Sequence, residues 1–195
     1  SGVEPPPPPP PPVPPPVAPV YETLKDLHLT TSLVADGQPV CSIVVPAGGR
    51  YDALAERVQQ AIADITGVRP TILRDTDDGA AVPIRGNLIA LGNRSTNRTI
   101  EELYNRYYCL LDLRYPGAGG HVVRTLHNPF GDGHNVIFAG GSDDQGVADA
   151  VDQLITRLRE AGGGQGALTV GRIMDIKLGQ GIDPPTDVRK MEIWD

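Results

Sequence analysis

Residues 128–158 read NPFGDGHNVIFAGGSDDQGVADAVDQLITRL: a turn, a short apolar run and an amphipathic segment, one after another without a gap. Asn128-Pro129 and Gly131-Asp132-Gly133 are turn chemistry, because Pro fixes φ, Gly admits positive φ, and Asn and Asp bond their own backbone. Asn135 to Ala139 is an unbroken apolar run of the kind found in a strand covered on both faces. Gly140-Gly141 ends it. Ser142 is placed as the N-cap of the following helix with Gln145 as its capping-box partner, and Asp143 and Asp144 put negative charge at the positive end of the helix dipole. Val147, Ala150, Val151, Leu154, Ile155 and Leu158 then recur at helical spacing as one apolar stripe. A glycine-rich turn between strand and helix is also where phosphates are cradled. GGSDDQG matches neither GxGxxG nor GxxxxGK[ST], however, and its two aspartates would repel an anion.

Working outward, His121 to His127 (HVVRTLH) alternates apolar and polar and is expected to pair across the 128–133 turn with 135–139 as a hairpin. Before it, Thr99 and Glu102 make a second capping box ahead of Ile100, Leu103, Tyr104, Tyr107 and Leu110 or Leu111, expected on one helical face. Tyr115-Pro116-Gly117-Ala118-Gly119-Gly120 breaks that helix. Val40 to Val45 (VCSIVV) and Asn87 to Leu91 (NLIAL) read as buried strands. Between them, Tyr51, Leu54, Ala55, Val58, Ala61, Ile62 and Ile65 mark a helix stopped by Gly67, and Pro70 to Arg74 marks a short strand. A strand–helix–strand crossover follows. Leu27 to Val34 reads as an edge-type strand that Asp36-Gly37 turns back into 40–45, and Ala167 to Leu178 offers a further strand or two. The expected fold is an α/β (α+β) sandwich, a mixed sheet with about three helices packed on it. Residues 5–16 are proline except for Val13, which dictates a polyproline II arm over 1–20. Residues 21–180 form the expected domain, and 181–195 a trailing extension. The start at Ser1 and the end just after Trp194 are those expected of a piece of a longer polypeptide.

A net charge of −7 argues against nucleic-acid or anionic-membrane partners, and the longest apolar runs are too short for a membrane span. Cys41 and Cys109 are expected as buried free thiols. Asn93-Arg94-Ser95 and Asn97-Arg98-Thr99 match the glycosylation sequon, and a polar turn leading into a helix is the favoured reading of the same residues. His127, Asp132 and His134 bracket one turn and carry zinc-ligand chemistry, although a tight hairpin need not point both imidazoles to one side. No cofactor is expected. For glycoside chemistry the acids available are Asp143 and Asp144, or Asp75, Asp77 and Asp78. Neither set has a sequence reason to sit in a cleft with a raised pKa. Tyr108, Tyr115 and Trp194 are the candidates for contact with a glycan or a partner surface.

The strand ending LGN (91–93), the YPGAGG turn (115–120), the VVRT strand (122–125), the NPFGDG turn (128–133) and the GGSD helix start (140–143) together carry a resemblance over roughly residues 40–160. The chain resembles the small non-catalytic α/β domain that precedes the catalytic domain in family 20 glycoside hydrolases and α-glucuronidases. It is similar, more closely, to versions at the front of large bacterial polysaccharide-active proteins, including heparinase II/III-like ones. The resemblance implies an extracellular or cell-surface scaffold that packs on a catalytic domain of the same polypeptide, carries no catalytic residue, and contacts glycan weakly if at all. The alternative is a structural subunit of an extracellular assembly, with the proline arm and the trailing segment docking on neighbouring copies.

Overall fold

The computed structural model describes residues 29–80 and 85–180, so the polyproline arm and the trailing extension 181–195, with Trp194, lie outside the described residues. The elements run β1 (Thr31–Ala35), β2 (Gln38–Pro39), β3 (Cys41–Val45), α1 (Asp52–Thr66), β4 (Thr71–Arg74), β5 (Asn87–Leu91), α2 (Arg98–Asn105), β6 (His121–Leu126), β7 (Val136–Gly140), α3 (Asp144–Glu160), β8 (Leu168–Val170) and β9 (Met174–Lys177). The fold is α+β. A six-stranded mixed sheet has the order β4-β3-β5-β7-β6-β9, and a three-stranded antiparallel sheet has the order β2-β1-β8.

In the large sheet β4, β3, β5 and β7 are mutually parallel, and β6 and β9 continue it antiparallel. The 135–139 run is therefore an interior strand, and its hairpin with β6 pairs Leu126 with Val136 and Val122 with Gly140. Strand alternation sorts the core into two clusters. Ile43, Val45, Ile89, Leu91, Val123, Ile137 and Ala139 join the apolar stripes of α1 and α3 and the inward side chains of the small sheet. Val44, Leu88, Ala90, Val122, Val136 and Phe138 meet Ile100 and Leu103 of α2 on the opposite face. Both faces of the central strands are thus covered, which is why they read as unbroken apolar runs. On α3 the buried Val147, Val151, Leu154 and Leu158 each contribute about 1.5–3 kcal/mol by leaving water.

Four local expectations give way to competing contacts. The Asp36-Gly37 turn has φ of 51° and 71° and returns β1 into Gln38–Pro39, after which Cys41 starts a strand of the other sheet. The hairpin ladder ends with the Val40 N–H on the Leu33 carbonyl at 3.0 Å, and the Val40 carbonyl already accepts from the Asn87 N–H at 3.2 Å, so the chain crosses to the large sheet at Val40. Ser142 is not the cap of α3. Asp143 caps it, accepting from the Gly146 N–H at 2.8 Å, while the Gln145 amide donates to Asp149. Likewise α2 is capped by Asn97, whose Oδ1 accepts from the Thr99 and Ile100 N–H groups, and Glu102 pairs with Arg106. Finally, α2 stops at Asn105. Tyr107 takes φ of 65°, its N–H bonds the Tyr104 carbonyl and the Tyr108 N–H the Leu103 carbonyl. That is the Schellman pattern, and it turns Tyr107 out to 65% exposure instead of along the core stripe.

Candidate functional site

In open α/β sheets, ligands bind in the crevice beyond the carboxyl ends of the parallel strands. Here β3, β4, β5 and β7 deliver to that edge the segments 46–51, 75–77, 92–97 and 141–144, and the loop 112–120 enters β6 beside them. Each joint is closed by side chains the sequence supplies. Ser142 Oγ accepts from the Gly117 N–H at 2.9 Å and donates to the Asp112 carbonyl at 2.7 Å. Asp143 accepts the Gly119 N–H at 3.0 Å with one oxygen and the Gly146 N–H with the other. The YPGAGG loop therefore sits where a phosphate would lie against the start of α3. The GGSD helix start is a clamp on that loop.

Backbone packs on backbone beneath it. A β-carbon on Gly146 would stand 2.2 Å from the Gly120 carbonyl oxygen, and one on Gly140 1.8 Å from that of Gly92. Asn93, 1% exposed, donates to the Gly141 carbonyl at 3.0 Å. Asn97, equally buried, donates to the Val44 and Leu91 carbonyls at 3.1 and 3.0 Å. Both sequon amides are consumed inside the fold. The glycosylation reading is therefore corrected: neither nitrogen is open to a glycan in the folded domain.

Asp75, read from the sequence as a loop acid, ties the edge together. Its oxygens accept from the Ala47 N–H at 3.0 Å and the Arg98 N–H at 2.9 Å, joining the loop after β3 to the start of α2. Asp77 accepts from the Arg74 N–H. Asp144 accepts from Arg50 Nε and the Tyr51 hydroxyl, each at 2.9 Å. Arg50, and then Tyr51, hold its carboxyl below the usual carboxylate range. Asp52 is likewise held low by Arg74, which it meets through a two-pronged ion pair. Burial, and then the bond to Asp144, push Tyr51 up to about 12. Asp143 and Asp144, adjacent in sequence, thus face different partners and form no acid pair across a cleft. Sequence reading missed the bracing roles of Asp75 and Tyr51. The only local hint was an acid directly after one strand and an aromatic at the first position of a helical stripe.

No protein-family model matches this chain, and no curated protein does either. Asp132 accepts the His134 N–H at 3.2 Å, and among the described residues no three of His, Cys, Asp and Glu are grouped to hold a metal ion. His127, Asp132 and His134 belong to no such group. Tyr108 and Tyr115 are half-buried against the α2-side core, and burial raises the Tyr115 hydroxyl pKa. A surface cavity of about 430 Å³ opens between Asp75, Arg98, Thr99, Glu102, Arg106 and Phe130. Its acids are already engaged: Asp75 with backbone, and Glu102 with Arg106, which stacks on Phe130 at 5.2 Å. Among the described residues no helix is long and apolar enough to cross a membrane.

Cys41 and Cys109 are free and buried. They lie in the two core clusters on opposite faces of the sheet. Burial pushes their thiols up to about 12 and about 11, away from the thiolate that reacts. In native buffer neither is expected to react with Ellman's reagent on the timescale of a free thiol, and both should react once the domain is unfolded. Fast labelling of either cysteine in the native state would show the clusters to be open.

Proposed function

We propose that this chain is a non-catalytic accessory domain of a secreted or cell-surface carbohydrate-active protein, acting by rigid packing against a catalytic domain of the same polypeptide. The observation that carries the reading is the braced carboxyl edge. At the end of β7 the 112–120 loop is locked down by Ser142 and Asp143, and at the ends of β3 and β5 the Asn97 amide bonds both strands. A general acid needs a raised pKa in a cleft and a nucleophile a lowered one. Here the displaced carboxylates are held low by arginine, and both thiols are pushed up by burial. A cross-braced edge with no poised group suits a spacer whose shape must not change. The sequence resemblance supplies the carbohydrate context.

The test pairs two measurements. The native polypeptide that contains this sequence is captured from its source with an antibody to the domain and its intact mass and tryptic map are read, and the purified chain is assayed for release of sugar from a polysaccharide panel. A larger polypeptide carrying a carbohydrate-active domain, together with an inert purified chain, is the expected result. A native polypeptide no larger than this chain, a larger one without such a domain, or turnover by the chain that Asp144→Asn abolishes would each overturn the proposal.

A further inference from the structure

Among the described residues the large sheet ends at β4 on one side and at β9 on the other, and the two edges are finished differently. An unpaired edge is a template for another strand. On β4 the Asp75 N–H bonds the Val45 carbonyl, so by alternation the backbone groups of Thr71 and Leu73 also turn to β3, and those of Ile72 and Arg74 turn outward. Arg74 is closed off within the chain: its N–H donates to Asp77 Oδ2 at 2.8 Å and its carbonyl accepts the Asp77 N–H at 2.9 Å. The Pro70 carbonyl accepts from Gln59 Nε2 at 2.8 Å. Among the described residues β9 has no such closure. The Thr125 N–H bonds the Ile173 carbonyl, and in the register of β6 with β9 this makes Asp175 and Lys177 the residues that bond β6. The N–H and C=O groups of Met174 and Ile176 therefore point away from the sheet.

We infer that the outer edge of β9 docks a second copy of this chain, the two β9 strands pairing antiparallel about Ile176 so that the two six-stranded sheets run on as one. The inference stands apart from the proposed function. What selects the occupant is that the strand complements itself. Residues 174–178 read MDIKL: apolar, acid, apolar, base, apolar. Turned antiparallel about Ile176, this sequence sets Ile176 opposite its own copy, Met174 opposite Leu178, and Asp175 opposite Lys177 twice. Ile176 then falls in a hydrogen-bonded pair. The two ion pairs fall in non-hydrogen-bonded ones, where Cα atoms approach to about 4.5 Å and side chains meet most closely. Lys177 is exposed. Asp175 Oδ1 lies 3.4 Å from His121 Nε2 and Oδ2 3.9 Å from Arg157, long contacts that leave the carboxylate lone pairs for a lysine. On the other face of β9, Met174 is 36% exposed, and Ile176 lines one small cavity with Leu110, itself 40% exposed. A lone lysine on an edge strand guards against pairing. An acid two residues before it cancels that guard in one register, and that register belongs to a two-fold axis, as an isologous dimer requires.

Sedimentation of the full 195-residue chain from micromolar to millimolar concentration is expected to show a reversible monomer–dimer equilibrium, and the Ile176 amide should gain protection from hydrogen exchange as the dimer fills. Lys177→Asp, which sets acid opposite acid twice, should raise the dimer dissociation constant about tenfold or more. Asp175→Lys should do the same with bases. Mixing these two variants should restore a dimer of one copy of each, because every cross-strand pair is then opposite in charge. Met174→Pro removes an outward N–H at the first residue of an edge strand, a position that tolerates proline, and should weaken the dimer without changing the fold. Thr71→Lys, exposed on the β4 edge, should leave it intact. Circular dichroism confirms that each variant is folded, and should Asp175→Lys fail that check, Lys177→Asp and Met174→Pro decide. A chain that stays monomeric at millimolar concentration would overturn the inference, and an Ile176 amide protected in that monomer would show the edge covered by the chain's own residues. A dimer unmoved by both Lys177→Asp and Met174→Pro would overturn it by placing the interface elsewhere, as would two folded charge variants that do not pair when mixed.

Discussion

Gly140→Ala is expected to cost about 3 kcal/mol or more, at the upper end of what overpacking a well-filled site produces. The added methyl group would lie 1.8 Å from the Gly92 carbonyl oxygen and 2.6 Å from a Leu111 methyl carbon. Leu111 can rotate, but Gly92 cannot withdraw. Its N–H is bonded to the Ala139 carbonyl at 3.2 Å, so the oxygen is fixed to the strand that carries the new methyl group. Gly92 is itself held at φ of 126° with Thr96 Oγ1 where its own β-carbon would go. Relief therefore requires the β5–β7 pairing to open at its carboxyl end, and the whole clamp on the 112–120 loop with it. Two controls separate this steric reading from a general intolerance of alanine. Gly146→Ala lies in the first turn of α3, where helix propensity alone predicts a gain of about 1 kcal/mol. The Gly120 oxygen at 2.2 Å is expected to turn that gain into a loss. Gly119→Ala has nothing within 4 Å of the new atom and only a φ of 72° to oppose it, so its cost should be about 1–2 kcal/mol. Urea unfolding midpoints should rank the losses Gly140 first, then Gly146, then Gly119. A Gly140→Ala protein within about 1 kcal/mol of the wild type, the ordinary range of surface changes, would mean the two backbones are not in contact.

The same contacts explain what could and could not be read in advance. Period and length placed α1, the 121–127 and 135–139 hairpin and the stripe of α3, because a strand covered on both faces and a helix covered on one leave patterns in the order of the residues themselves. The split into two sheets left no such pattern. Leu33 and Val34 look alike whether they extend the large sheet or lie across it. Caps failed for a related reason. Ser142 satisfies the N-cap preference, and so does Asp143, and the choice was made by a loop 25 residues away that needs the Ser142 hydroxyl. Local rules see two competent caps and cannot see the third claimant. Tyr107 was assigned to the core because its spacing fits, yet the Schellman closure of α2 removes it. At the carboxyl edge, the sequence argued against a phosphate site through the charge of Asp143 and Asp144. It could not say that the space belonged to Gly117 and Gly119.

The second large effect is expected at Asn97, whose side chain serves three elements at once. Its Oδ1 caps α2, and its Nδ2 donates to carbonyls at the carboxyl ends of β3 and β5, those of Val44 and Leu91, at 1% exposure. Removing the cap costs about 1 kcal/mol. The Val44 carbonyl keeps its place in the β3–β5 ladder, whereas the buried Leu91 carbonyl, left without its donor, costs about 1–3 kcal/mol. Asn97→Ala should therefore lose about 2–4 kcal/mol, more than a cap alone. Asn97→Asp distinguishes the two roles. A carboxylate keeps the cap but turns an oxygen toward two carbonyl oxygens, so near neutral pH this variant should be no more stable than Asn97→Ala. The sign of its pH dependence follows. The charged form is disfavoured in the fold, so the introduced carboxyl has a folded pKa above its unfolded value of about 4. The penalty is then fully present at pH above the folded value and is relieved as pH falls through it, because the folded state binds the extra proton. Urea unfolding at neutral and mildly acidic pH should show Asn97→Asp gaining on Asn97→Ala as the pH drops. A loss in Asn97→Ala no larger than a cap would show that the amide does not bridge the strands, and would reopen Asn97 as a glycan acceptor.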